Sequence, residues 1–456
     1  MAAAQSRRSI EAYRAAKELY EAGKFAEAEA LLAAAITEDR GNADIRNARG
    51  VMLAALGRNL DALWCYRDAV ALNPNNAGIW TNLGNCLTKL RYLKSAIECH
   101  QRAIELAPND SLLRRNLGVS FAEAGQHGEA VIAYTRALEI NPQHHNARWD
   151  RARSYLYLGN YREGWKDYEI RRVTGQLPQR KRPGAPWDGR SYAGQRLVLL
   201  VEQGFGDTLW AARYLPKVKA LGGELLIECQ LEVASLIETM GVADQIIPQG
   251  QPIPEAEFHC YFCSLPSLFT YDMHSIPSPP YLLTPKPYPK ELQDAIATAS
   301  GRLKVGIVWS GSVTFKRNRD RAQPLLKFFK AFAVPGVQLF SLQKGPRTDE
   351  LASLPRGSPI IDLAPYLNDF GDTAAAVGAL DLIIMTDSAV AHLAGALGRP
   401  VWVLLGHVAH WLWLLDRTDN PWYPSVRLFR PRADGDWDHV FDTASVELMR
   451  LVRRGS

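Results

Sequence analysis

LDLIIMTDSAVAHLAGALGRP, residues 380–400, begins as an apolar run and stops at Asp387 and Ser388. A small-residue segment of helical composition starts at once and closes at Gly398 and Pro400. The expected structure is a buried strand feeding straight into a helix. A helix start carries unpaired N–H groups and partial positive charge. An acid and a hydroxyl placed there either cap the helix or face a ligand. Asp387, at a strand end, is suited to accept hydrogen bonds from a sugar or ribose hydroxyl. His392 lies one turn on, near the same end, where it serves either a ligand or the packing.

The same strand-to-helix rhythm runs outward on both sides. PVWVLLG follows as a strand, and FGDTAAAVGAL, VQLFSLQ, PLLKFFKAFAV and LKVGIVWSGS precede it as helix, strand, helix and strand. Further upstream, RLVLLVE, ELLIECQ and DQIIPQ read as strands, with GDTLWAARYLPKVKALGG and LEVASLIETMG as the helices between them. Such alternation implies parallel sheets with helices on both faces. SIPSPPYLLTPKPYPK, rich in proline, suits a stiff linker between two runs. Two Rossmann-type α/β lobes are therefore expected, over residues 185–285 and 286–430, with a helical tail over 431–456. Open α/β sheets take ligands outside the carboxyl ends of their strands.

The first third obeys another period. Pro74, Pro108 and Pro142 recur every 34 residues, the period of tetratricopeptide repeats. Gly50, Gly84 and Gly118 share one phase, as do Ala62, Ala96 and Ala130, and Ala69, Ala103 and Ala137. A weaker copy covers about 9–42, and a last one, without its closing proline, about 145–172. Four to five stacked helical hairpins over 1–175 are expected. Such arrays present a concave face to a peptide or protein, or serve as a scaffold.

Bulk properties bound the rest. At 456 residues the chain exceeds one ordinary core. A net charge of +5 with no long basic block gives no sign of nucleic-acid binding. The start, MAAAQSRRSIEAYRAAKELY, has no apolar signal-peptide core, and no apolar run is long enough to span a membrane. Six scattered cysteines argue against a disulfide framework, so a cytoplasmic location is expected. Cys260 and Cys263 form a lone CxxC beside His259, more typical of a buried strand than of a metal site.

Three segments carry candidate chemistry. In VEQGFGDTLW, Glu202 ends a strand, Gln203 follows, and Gly204 and Gly206 make a tight turn into a helix near Asp207. A dinucleotide fingerprint needs a third glycine where Leu209 stands. Asp207 reads as a helix N-cap, as a general base at a strand end, or as both. Glu202 reads as a second carboxylate or as the partner of a nearby arginine. In WSGSVTFKRNRDR, Ser310, Gly311 and Ser312 are placed to offer hydroxyls and N–H groups to phosphate oxygens. Lys316, Arg317, Arg319 and Arg321 supply countercharge, unless the loop is simply a solvated basic one. Gln343, closing the VQLFSLQ strand, is placed on the same side. The third segment is 385–400. ADGDWDH offers Asp434, Asp436 and Asp438, but reads better as a turn before the last helix than as a metal site. Trp411, Trp413, Trp422 and Tyr423 read as packing, or as an aromatic border to a cleft.

TDSAVAHLAGALGRPVWVLLG resembles the donor-binding motif of heptosyltransferase-like glycosyltransferases of the GT-B fold, and EQGFGDTLWAARYLP resembles their early strand–Gly-Asp–helix segment. LDRTDNPWYPSVRLFR and GDW are similar to the tail of a bacterial subgroup that fuses tetratricopeptide repeats to this transferase. Some of its members resemble flagellin glycosyltransferases. The resemblance implies a GT-B-like pair of lobes after the repeats. It places Asp207 as catalytic base and puts Asp387, Ser388 and His392 in the donor motif. Lys316 or a neighbouring arginine would be the cation on the donor phosphate. Thr386-Asp387-Ser388-Ala389 stands where the family often has Asn-Asp-Ser-Gly, which leaves less room at Ala389. The implied activity is inverting transfer from a nucleotide sugar to an acceptor, a protein Ser or Thr delivered by the repeats, without metal or cofactor. The alternative is a repeat adaptor whose transferase-like region is inactive.

Overall fold

The computed structural model describes residues 2–175, 177, 180, 182–285, 289–313, 318–355, 357–433 and 435–455. The chain divides into two compact units, Met1–Leu158 and Gly159–Ser456.

The first unit is a series of antiparallel helical hairpins: α1 (Ala2–Glu21), α2 (Phe25–Glu38), α3 (Ala43–Ala55), α4 (Asn59–Leu72), α5 (Ala77–Lys89), α6 (Leu93–Leu106), α7 (Ser111–Glu123), α8 (His127–Ile140) and α9 (His145–Tyr157). The 34-residue period reappears in the caps. Asn42, Asn76, Asp110 and His144 each stand at the N-cap of a first helix and accept from its N–H groups through the side chain. The in-phase glycines have a packing reason. A Cβ on Gly50, Gly84 or Gly118 would lie within 2.6 Å of the ring of Tyr66, His100 or Tyr134 on the second helix of the same hairpin. The in-phase alanines are fully buried.

The second unit opens with α10 (Tyr161–Tyr168). The division between the units thus falls at Leu158/Gly159, not near residue 175. The reason lies in side chains rather than phase. Trp165 is 1% exposed and packs edge-on to Trp411 and against Trp210, while Tyr161 accepts a hydrogen bond from Trp422 Nε1 at 2.8 Å.

Next come β1 (Ala185–Pro186), β2 (Arg196–Leu200), α11 (Phe205–Ala211), α12 (Leu215–Lys219), β3 (Glu224–Cys229), α13 (Leu231–Glu238), β4 (Gln245–Pro248), β5 (Phe258–Tyr261) and α14 (Leu265–Phe269). After α15 (Lys290–Ala297) follow β6 (Leu303–Val308), α16 (Asn318–Arg321), α17 (Leu325–Phe332), β7 (Val337–Ser341), β8 (Ile360–Asp362), α18 (Phe370–Ala379), β9 (Leu382–Thr386), α19 (Ala389–Ala396), β10 (Val401–Leu404), β11 (Val426–Phe429) and α20 (Trp437–Gly455).

The strands form two all-parallel sheets, β1-β5-β2-β3-β4 and β11-β10-β9-β6-β7-β8. Both faces of a parallel sheet need cover, which explains the continuous apolar runs LVLL and LIIM. On one face of the second sheet, Val305, Ile307, Trp309, Ile384 and Leu404 pack against Phe328 and Phe332 of α17 and Phe441 and Leu448 of α20. The tail helix is therefore part of this layer. In each sheet the order reverses once: β2 has β3 on one side and β5 on the other, and β6 has β7 on one side and β9 on the other. At such a reversal the loops leave in opposite directions and open a crevice at the strands' carboxyl ends.

Candidate functional site

Both reversals carry a segment singled out in the sequence. From the first sheet comes Glu202–Asp207, directly after β2. From the second come residues 309–312 after β6 and Asp387–Ser388 after β9. Helix α11 packs against α19 across the two sheets. A Cβ on Gly206 would lie 2.9 Å from His392 Cδ2 and 3.6 Å from the Ala389 Cα. Glycine at 206 and alanine at 389 let the two helix starts meet.

Asp207 is not the N-cap of α11; Gly204 holds that position and Asp207 is the third residue of the helix. Its carboxyl is half-buried. Burial first, then the Glu202 charge, push its pKa up to about 7, against the pull of the Gly204 and Asp207 backbone. Glu202 has become the partner of an arginine. Its two oxygens accept from Nε and Nη2 of Arg171 at 3.1 and 3.2 Å, and Oε1 also accepts from the Cys263 backbone N–H at 3.0 Å. Both side chains are 1% exposed. Arg171 reaches on to Ser264 Oγ at 2.6 Å and to Glu169. Gln203 donates from Nε2 to the Tyr168 hydroxyl at 3.2 Å. Gln230 fixes the turn: it donates to the Gln203 carbonyl and accepts from Thr208 Oγ1, both at 2.9 Å.

In the second sheet's loop the structure corrects an expectation. The Ser310 N–H donates to Gln343 Oε1 at 3.0 Å, and the Gly311 N–H to Asn318 Oδ1 at 3.0 Å. These backbone donors shape the loop and are engaged, so they do not point at a phosphate. The Ser310 hydroxyl accepts from Asn318 Nδ2 at 3.0 Å and donates to the Gly311 carbonyl. Gln343 also accepts from the Trp309 N–H at 3.1 Å, and is thus a loop anchor. Ser312 lies at the surface. Arg319 is exposed beside Asp320. Lys316 and Arg317 lie outside the described residues. Arg321 reaches the site: its Nη1 lies 3.3 Å from Asp387 Oδ2.

Ser388 stands at the N-cap of α19, yet its side chain makes no capping bond. Asp387 is 7% exposed. His392 stacks on Trp413, with ring centroids 5.4 Å apart and 18° between planes, and its Nδ1 lies 3.2 Å from the Tyr423 hydroxyl. Burial holds its pKa down at about 3, so the ring is neutral. The aromatic segment 411–423 is packing: Trp411 and Trp422 surround Trp210, and Arg213, 2% exposed, lies over the rings of Tyr281, Trp422 and Tyr423.

Cys260 and Cys263 are buried thiols, and burial pushes both pKa values up, Cys260 to about 12. His259 Nδ1 sits 2.8 Å from the Pro183 carbonyl. Asp434 lies outside the described residues; Asp436 accepts from the His439 N–H and pairs with Arg432, and Asp438 pairs with Lys327. Sequence reading passed over Arg171 and Gln230, which lie 31 and 27 residues from Glu202 and Gln203, the residues that they hold.

The described residues thus define a helical-repeat unit joined to a unit of two parallel sheets. Tetratricopeptide-repeat models match residues 13–77 and 76–143. Protein FlbA of Caulobacter vibrioides is 30% identical over 333 residues, covering 65% of this chain and 54% of FlbA. The chain therefore spans about half the length of that curated relative. Among solved structures, MamA of Desulfovibrio magneticus RS-1 is 18% identical with a TM-score of 0.34, over 37% of this chain and 97% of MamA. YrrB, described as a repeat protein with an unusual peptide-binding site, is 23% identical with a TM-score of 0.32, over 37% of this chain and 87% of YrrB. A thermophilic repeat protein of Thermus thermophilus is 21% identical with a TM-score of 0.32, over 37% of this chain and 92% of that one. Among the described residues no helix is long and apolar enough to cross a membrane.

Proposed function

We propose that the two-sheet unit is a GT-B-type glycosyltransferase that moves a sugar from a nucleotide donor to an acceptor hydroxyl, with inversion and without a metal. One observation carries this reading: a carboxyl with a pKa near 7, at the crevice of one sheet, stands beside a helix N-terminus with an uncommitted serine at the crevice of the other. The acceptor oxygen attacks the anomeric carbon and gives its proton to the Asp207 carboxylate. The bond from that carbon to the phosphate oxygen breaks, and its electron pair leaves with the diphosphate. The N–H groups at the start of α19, Ser388 and the neutral His392 receive that charge. Arg321, held by Asp387, adds positive potential nearby. The repeats supply the protein acceptor, a Ser or Thr side chain in an extended segment.

A second reading, an adaptor with an inactive transferase-like unit, is favoured by the engaged N–H groups of Ser310 and Gly311. Thermal shift against nucleotides and nucleotide sugars separates the two. A transferase is stabilised by about 2.7 kcal/mol at a hundred times the Kd of its donor. An inactive unit is unmoved by the whole panel, which would overturn the proposal. Mass spectrometry of co-expressed acceptor proteins then reads the transferred sugar.

A further inference from the structure

The His392 ring is gripped from three sides. Trp413 lies beneath it, Gly206 abuts its Cδ2–Nε2 edge, and the Tyr423 hydroxyl faces Nδ1 at 3.2 Å. Which ring nitrogen carries the proton follows from tracing the hydroxyls behind it. Tyr281 has one proton, and its oxygen lies 3.1 Å from the Leu209 carbonyl, which can only accept. Tyr281 also accepts from Arg213 Nη2 at 3.2 Å. It therefore has no proton left for Tyr423, whose hydroxyl is 3.5 Å away.

Arg213 sets the direction of the chain. It is 2% exposed, and it meets the carbonyl oxygens of Trp210, Pro277 and Trp422, the Tyr281 hydroxyl and three ring faces. A buried cation over the Tyr423 ring, 4.7 Å from its centroid, draws density from the phenol and makes its O–H the stronger donor. The same charge disfavours an Nδ1–H pointed towards it. Both effects send the Tyr423 proton to Nδ1.

We propose that Tyr423 is a positioning residue, which donates to His392 Nδ1 and so holds the imidazole in the Nε2–H form, an N–H donor to an anionic phosphate oxygen of the donor substrate. The role of that N–H rests on the transferase reading; the tautomer does not. No proton is transferred. The device fixes a neutral donor where an imidazole in the other tautomer would present a lone pair to an anion.

The test uses the full chain labelled with ¹⁵N-histidine and long-range ¹H–¹⁵N correlation, with His392→Gln assigning the signal. The expected wild-type spectrum shows a protonated-type Nε2 and a pyridine-type Nδ1. Tyr423→Phe should give a mixture of tautomers or the reverse form. An Nδ1–H form in the wild type, or an unchanged spectrum in Tyr423→Phe, overturns the proposal. If Tyr423→Phe does not fold, Tyr281→Phe decides. The proposal expects the Nε2–H form to persist, because that chain of donors does not run through Tyr281; a switch of tautomer overturns it. Nucleotide-sugar affinity is read in parallel and should fall about tenfold in Tyr423→Phe. Should the wild type bind no member of the panel, the transferase reading fails while the spectrum still judges the tautomer.

Discussion

Gly206 and His392 meet so closely that a single added methyl does not fit, since a Cβ at 206 would lie 2.9 Å from His392 Cδ2. The glycine has a negative φ, so alanine is allowed by the backbone and only the contact opposes it. Gly206→Ala must push the ring or part the two helices. Trp413 backs the ring, so the helices should give. The expected cost is about 1–3 kcal/mol of stability and about a hundredfold in transfer rate through misplacement of Asp207. Urea melts and donor-saturated rates measure the two separately.

Asp207 should behave as a base whose charge opposes folding. Its folded pKa, about 7, lies above the ordinary 3.8. The folded state therefore binds the proton more tightly. The stability that the protonated carboxyl contributes is fully present below pH 3.8 and is lost as pH rises through about 7. Asp207→Asn lacks this loss, so its melting temperature relative to wild type should climb between pH 4.5 and 8. Activity runs the other way: the variant should lose about 10²- to 10⁴-fold, and the wild-type rate should rise through pH 7. A variant as active as wild type would remove Asp207 from the chemistry.

Periodicity made the repeats and the sheets legible, because burial imposes a 34-residue beat on one and apolar runs on the other. Strand ends flanked by glycine or a helix start also pointed to Glu202–Asp207 and to Asp387–Ser388. What periodicity could not give is the partner of each side chain. Tyr161 and Trp165 stand in the phase of a repeat helix, yet their rings belong to Trp210, Trp411 and Trp422. Gln343 looked like a donor-side residue because it ends a strand. Only the three-dimensional path shows that its Oε1 accepts from the N–H groups of Trp309 and Ser310. Arg171 and Glu202 are 31 residues apart, with nothing local to mark them as a pair.

That pair carries its own prediction. Arg171 forks onto both oxygens of Glu202 and also contacts Glu169, with 1% of its side chain exposed. Arg171→Met would leave a buried carboxylate without countercharge, at a cost of about 3–5 kcal/mol. Arg171→Lys should recover only part, since an ammonium cannot make the two parallel bonds. Equilibrium urea unfolding of the three proteins gives the comparison. Equal stability of all three would mean that the fork contributes nothing.

The helical repeats should be acid-sensitive at two buried rings, His100 and His127. His100 is 1% exposed, neither ring nitrogen has a hydrogen-bond partner, and its ring fills the space beside Gly84 that Tyr66 and Tyr134 fill beside Gly50 and Gly118. Burial holds its pKa at about 4, below the ordinary 6.5. A proton is therefore bound more readily by the unfolded chain. The neutral ring's contribution is whole above pH 6.5 and drains away as pH falls towards 4, on the order of 3 kcal/mol in all. His100→Tyr restores the residue of the neighbouring repeats at a site already shaped for it. It should be neutral or stabilising at pH 7 and should flatten the decline between pH 6.5 and 4. His127, stacked on Tyr157 and 3.2 Å from Ser154 Oγ, with its pKa also held at about 4, would supply the slope that remains. Melts of the two proteins across that range read the difference, and parallel curves would show that His100 is not the sensitive group.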